Sequence, residues 1–167
     1  MKDQYFGKRD DLIGEHSLGD AGQLILLFLF MIIWIVDSFV IKSSTFLVNK
    51  VPFIIRFLIA LPMFIYGGFL AQRGMRVVFG QVRTEPEIIS ESVFKIVRHP
   101  IYLGAILFYV SMSVLTMSLF SMLMLIFIIL FYYFIAKHEE NLLIARFGDT
   151  YREYMKQVPM LIPGIKF

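Results

Sequence analysis

Four apolar stretches, 24–41, 53–71, 101–115 and 118–136, dictate what this chain can become. A helix needs about 20 mostly apolar residues to cross a hydrocarbon layer roughly 30 Å thick, and lipid offers no partner to a backbone group left unpaired. Helices are therefore the only economical form for these stretches. With 58% hydrophobic residues and a mean hydropathy of +0.73, the chain is far more apolar than a soluble domain of its length. It is expected to be a single all-α integral membrane domain over residues 1–167, with about four spans. The first stretch follows a charged segment (Lys2, Lys8, Arg9, Asp10, Asp11, Glu15, Asp20) and lacks the short basic stub of a cleaved signal, so it reads as a retained span. The third stretch is short and Thr116-Met117-Ser118 is uncharged, so the last two spans should form a tight hairpin.

Composition removes several chemistries. There is no cysteine, which excludes disulfides, thiolate metal sites and cysteine nucleophiles, and no metal site is expected. A net charge of +3 is too weak and too dispersed for nucleic acid.

Lysine and arginine set the expected orientation. With four spans, the N-terminal segment, the 72–100 loop and the tail share one side and hold thirteen of the sixteen basic residues, against Lys42 and Lys50 on the other. Both termini and the loop are thus expected to be cytoplasmic. Arg56 reads as a snorkelling anchor, and Asp37 as a carboxylate near the outer lip beside Lys42. Phe28, Phe30, Met31, Met122, Met124, Phe127 and Phe131 read as lipid-facing packing, and Tyr132-Tyr133-Phe134 as an interfacial belt.

Polar chemistry concentrates in two clusters on the cytoplasmic side. Arg98-His99-Pro100-Ile101-Tyr102-Leu103-Gly104 opens the third span. Proline suits the first turn of a helix and keeps the preceding residue extended. Arg98 and His99 should then point out of the helix start toward headgroups or an anionic ligand, while Gly104 lets a bulky group or a second helix approach. Lys137-His138-Glu139-Glu140 closes the fourth span. At 1.5 Å per residue, a turn near Met117 returns the second cluster to the depth of the first. Adjacent glutamates point about 100° apart, so one of them, Glu139, is expected to face the site. Beyond them Gly148 reads as a helix C-cap and Asp149 as the N-cap of a short helix with Tyr151, Tyr154 and Val158. This tail, stopped by Pro159 and Pro163, should lie along the interface over the cytoplasmic mouth.

RHPIYLG, a helical hairpin, a Glu-Glu pair, Phe-Gly-x-x-Tyr-x-x-Tyr and a Val-Pro-x-x-Ile-Pro ending occur in this order between about Thr84 and Pro163. This ordered set resembles the membrane superfamily of isoprenylcysteine carboxyl methyltransferases and phospholipid N-methyltransferases. The resemblance implies an S-adenosylmethionine-dependent methyltransferase, with the cofactor between the hairpin and the cytoplasmic loops and a lipid or lipidated acceptor entering from the bilayer. Carried over by position, Ile88, Ile89, Phe94, His99, Pro100, Tyr102, Gly104, Glu139 and Glu140 would bind the cofactor, and Arg98 and Glu139 would serve catalysis. A cofactor carrying sulfonium, ammonium and carboxylate suits one basic and one acidic cluster at a single mouth.

The chain also departs from that pattern. Ser92-Val93-Phe94 stands where the family has Gly-Pro-Tyr or Gly-Val-Tyr, Pro86 where a histidine is common, and Ile135 where the carboxyl methyltransferases place an arginine. The acceptor therefore stays open among a prenylcysteine-like carboxylate, a phospholipid amine and a related lipid. An NADPH-dependent membrane reductase of the sterol-reductase type and a non-catalytic membrane scaffold are the alternatives.

Overall fold

The computed structural model describes residues 17–80 and 87–164; most of the charged N-terminal segment, together with Arg83, Pro86 and Lys166, lies outside them. The four apolar stretches all become helices: α1 (Ser17–Ile35), continued by a π-helical turn (Val36–Ile41), α2 (Phe53–Phe79), α3 (Pro100–Thr116) and α4 (Leu119–Phe147), with a short α5 (Asp149–Gln157) after them. Among the described residues there is no strand. α1 with its π turn, α2 and α4 are each long and apolar enough to span a bilayer, while α3 is a shorter apolar helix of 17 residues. The fold is an all-α, multi-pass integral membrane bundle. Its helices alternate in direction, so the start of α1, the connection from α2 to α3 and the end of α4 meet at one end. α2 and α4 outrun their apolar stretches at that end: α2 continues to Phe79, and α4 carries the glutamate pair within one unbroken helix.

α3 lies at the centre, and none of its residues is exposed. Its principal neighbour is α2, whose buried residues Arg56, Ala60, Gly67, Leu70 and Gly74 recur three, four or seven apart along one face. In lipid, where apolar contact gives helices no advantage over the tails, small residues drive association by letting backbones approach. A Cβ on Gly67 would lie 2.8 Å from the Gly104 carbonyl oxygen, and one on Gly104 would lie 2.6 Å from that of Gly67 and 3.0 Å from the Ala71 Cβ. Gly104 thus admits a second helix, one of the two roles open to it from sequence. The α3–α4 hairpin turns as expected, with Met117 in the left-handed region and the Ser118 hydroxyl accepting from the Ser121 N–H.

The polar groups at the opposite end have partners other than those expected. Asp37 is buried, and its oxygens accept from the Ser43, Ser44 and Ser118 hydroxyls and the Ser44 N–H, rather than facing Lys42. The π turn and these serines solve the problem of a carboxylate at depth by surrounding it with donors. Arg56 is not a snorkelling anchor either. It is buried and donates to the carbonyls of Val51 and Leu115, so it satisfies an end of α3 that helix geometry leaves open. Phe30 and Tyr132, read as lipid-facing and as belt residues, point into the bundle with Tyr109 and Ile128. Phe28, Phe127, Tyr133 and Phe134 are exposed.

The glycine contact makes a direct prediction. Gly67→Ala should destabilise the protein in detergent micelles by about 1–3 kcal/mol through overpacking. Gly68→Ala, whose Cβ would meet nothing within 4 Å, should be neutral or gain up to about 1 kcal/mol of helix propensity. Thermal unfolding of both variants checks this.

Candidate active site

The two polar clusters meet, and the mode of their meeting follows from the backbone around Pro100. His99 is the N-cap of α3, with φ −122° and ψ 66°, and Pro100 occupies its first turn. The extended Arg98-His99 backbone then pairs with the tail: the Arg98 N–H donates to the Pro159 carbonyl at 2.9 Å and the His99 N–H to that of Met160 at 3.2 Å. Val97, Phe94 and Leu103 bury themselves against Met160, Leu161 and Ala136. The tail covers this mouth as expected, beginning after Gly148, whose φ of 55° breaks α4 from α5. Gly148 serves as the cap on both sides, and Asp149 is the first residue of α5 rather than its N-cap.

Arg98 turns inward instead of projecting toward headgroups. Its Nε donates to Glu140 Oε1 at 2.6 Å and its Nη1 to the carbonyls of Met155 and Val158, with the two side chains 3% and 2% exposed. Breaking a pair buried this deeply costs about 3–5 kcal/mol, because the partner is left as an unpaired charge. Arg98 therefore joins the start of α3, α4 and the tail in one knot. Both glutamates reach the site, not Glu139 alone. His99 lies between them, Nε2 3.3 Å from Glu140 Oε1 and Nδ1 3.5 Å from Glu139 Oε2. Glu139 also accepts from the Tyr102 hydroxyl, and the Tyr102 ring stacks on the His99 imidazole at 5.5 Å with the planes 2° apart.

Burial disfavours the imidazolium, but the hydrogen bonds and negative charge of Glu139 and Glu140 outweigh it and hold the His99 pKa above its ordinary value. With both ring nitrogens facing carboxylates, His99 is a donor on each side. Tyr151 and Tyr154, on α5, complete the enclosure. Burial pushes both phenols up, and the Tyr154 hydroxyl donates to the Phe94 carbonyl at 2.6 Å.

The other expected site residues distribute unevenly. Tyr102, His99, Glu139 and Glu140 converge. Phe94 and Ile89 belong to the apolar cluster under the site, and Ile88 is half-buried. Pro100 and Gly104 face α2, where they meet Gly74 and Gly67, with Gly104 about 200° round α3 from Tyr102. Lys137 and His138 are exposed, and Ile135 is buried. Ser92, which replaces a turn glycine of the resembled family, keeps a glycine-like φ of 54°. Sequence reasoning missed the Arg98 carbonyl partners and the tail pairing, because backbone carbonyls leave no mark in the residue types of 155–161.

With this geometry established, the comparison with known proteins is decisive at the level of family. The family model for phospholipid methyltransferases matches residues 53–150. The chain belongs to that family. It is also 41% identical over 86 residues to methanethiol S-methyltransferase 1 of Bradyrhizobium diazoefficiens, covering 50% of this chain and 29% of that protein. Methanethiol S-methyltransferase 2 of the same organism is 36% identical over 99 residues, 58% of this chain and 34% of that protein. A methanethiol S-methyltransferase of Crocosphaera subtropica is 27% identical over 148 residues, 87% of this chain and 49% of that protein. The chain thus spans half or less of the length of these curated relatives. No solved structure matches it.

Two outcomes follow from the site. Because the folded-state pKa of His99 is raised, its contribution to stability is fully present below the ordinary value of 6.5 and is lost as the pH climbs through the raised value. Thermal midpoints measured between about pH 6 and about pH 9 should therefore fall more for the wild type than for His99→Gln. Ser92→Gly should raise stability by about 1 kcal/mol by relieving the left-handed strain, which chemical unfolding in micelles would reveal.

Proposed function

We propose that this protein transfers a methyl group from S-adenosylmethionine to a sulfur acceptor at the shared end of its helices, with the site and both termini on the cytoplasmic side. The observation that carries the reading is the convergence of Tyr102, His99 and Glu139 at a partly open mouth beside a sealed Arg98–Glu140 pair. Family membership and the names of the relatives support the reaction class, and the methanethiol of those names favours sulfur over a lipid carboxylate or amine. The bias of basic residues supports the sidedness.

The donor set suits such a cofactor. Glu139 is the more open carboxylate, 18% exposed against 2% for Glu140, so it can accept from an ammonium or from ribose hydroxyls. His99 brings positive charge to the same mouth for a carboxylate, and the Tyr102 ring offers an apolar face. When bound, S-adenosylmethionine supplies a methyl on a sulfonium, which leaves both bonding electrons behind and ends on the lone pair of the acceptor. Both ring nitrogens of His99 are turned to carboxylates, so neither is free to take the acceptor's proton. Glu139 is the residue we assign to that role. Arg98 and Glu140 act as positioning residues: their pairing holds His99 and the tail in register. Phe94, Ile88 and Ile89 form the apolar wall, and the tail with Tyr151 and Tyr154 excludes water, which strengthens every charge interaction inside.

Calorimetry of the purified protein with S-adenosylhomocysteine and with NADPH, and headspace detection of dimethyl sulfide from methanethiol, test the proposal. Micromolar binding of S-adenosylhomocysteine, weakened at least about tenfold, or 1.4 kcal/mol, by Glu139→Ala, is the expected result. Binding of NADPH alone would replace this reading with the reductase. S-adenosylhomocysteine binding that is indifferent to both His99→Ala and Glu139→Ala would remove these residues from the site.

A further inference from the structure

Beneath the mouth, the two seams beside α3 through which a long hydrocarbon tail could run into the bundle are both closed. On the α2 side the closure is backbone on backbone, at the Gly67–Gly104 contact, where even a methyl group would collide at 2.6–2.8 Å. On the side of α1 and α4 it is a column of rings. Tyr102 lies 5.2 Å from Tyr132, Tyr132 is buried in one cluster with Tyr109, and Tyr109 meets the edge of Phe30 at 4.7 Å. Tyr132, Tyr109 and Phe30 are 2%, 3% and 0% exposed. Below them Trp34 continues the closure, its Nε1 donating to the Met112 carbonyl at 3.1 Å and to the Thr116 hydroxyl at 3.0 Å.

We infer that Tyr109, Tyr132 and Phe30 set the size limit of the acceptor, which is a compact, short-chain thiol and not a prenyl- or acyl-bearing lipid. This deepens the methyl-transfer reading and rests on it. A tail entering this seam would have to displace rings that are almost wholly buried, and a close-packed core takes added methylenes only at the cost of strain. An acceptor of one or two carbons needs no such displacement, because it stays at the level of Tyr102 and Glu139. The column is thus a floor: it places a small sulfur nucleophile beside the acid and allows it nowhere deeper to go.

The test is a chain-length series. Methyl transfer to n-alkanethiols from methanethiol to octanethiol is measured for the full chain, alongside phosphatidylethanolamine vesicles. kcat/KM should fall at least about tenfold between ethanethiol and hexanethiol, whereas an open apolar route would raise it by up to about fourfold per methylene. Tyr132→Leu and Phe30→Ala should each move the optimum to longer chains, and Tyr132→Phe, which keeps the ring, should retain the wild-type profile. A second readout needs no turnover: octanethiol should give a saturable rise in thermal midpoint for Phe30→Ala and none for the wild type.

A wild-type rate that rises with chain length, or methylation of the phospholipid, would overturn the size limit while leaving methyl transfer intact. Failure of S-adenosylhomocysteine to bind would instead remove the methyl-transfer reading. In that event the octanethiol melting data still decide whether the column is closed. Should Tyr132→Leu not fold, Phe30→Ala and the wild-type series carry the test.

Discussion

The Arg98–Glu140 contact is the interaction on which the architecture of the mouth depends. One guanidinium, withdrawn from water, connects the start of α3, the far end of α4 and the carbonyls at the end of α5. A charge at such a position is tolerated only when its donors are used, and here the neighbouring backbone also contributes through the Arg98 and His99 N–H groups. Because that geometry is over-determined, His99 has little freedom, and its stacking on Tyr102 and its place between two acids follow from it. The niche of His99, Tyr102 and Glu139 thus gains precision from a neighbouring pair that is itself buried.

Much of this was legible in the residues. Apolar length determined the four helices, the uncharged Thr116-Met117-Ser118 located the hairpin turn, and helical rise alone brought His99 and Glu139 to one depth. Spacing describes where a Cα sits, however, and not where six or seven side-chain atoms beyond it end. That is why Arg98 was read as pointing outward when its partners are 42 and 57 to 60 residues away in sequence. The same limit applies to Arg56, which caps α3 across 59 residues. It applies equally to the glutamates: a 100° offset rules out a shared direction, yet both carboxylates reach one imidazole lying between them.

Tertiary context also overrode two compositional readings. Phe30 and Tyr132 are the residue types expected to face lipid or its interface, but helical register turns them inward, where they are packed by Tyr109 and Ile128. For Asp37 a usable signal existed. Ser43, Ser44, Ser118 and Ser121 are clustered hydroxyls flanking apolar spans, and a carboxylate at depth needs such donors. Ser92 shows the converse, since a backbone shape that glycine would adopt freely is retained here with a side chain attached.

The glycine seam also has a mechanical consequence. Two rods that touch through their main chains, as at Gly67 and Gly104, with carbonyls seated against α-carbons, cannot slide past each other there without collision. α2 and α3 therefore form one stiff wall of the molecule. Breathing of the bundle then falls to the opposite wall, where aromatic edges can pivot while the main chains stay apart.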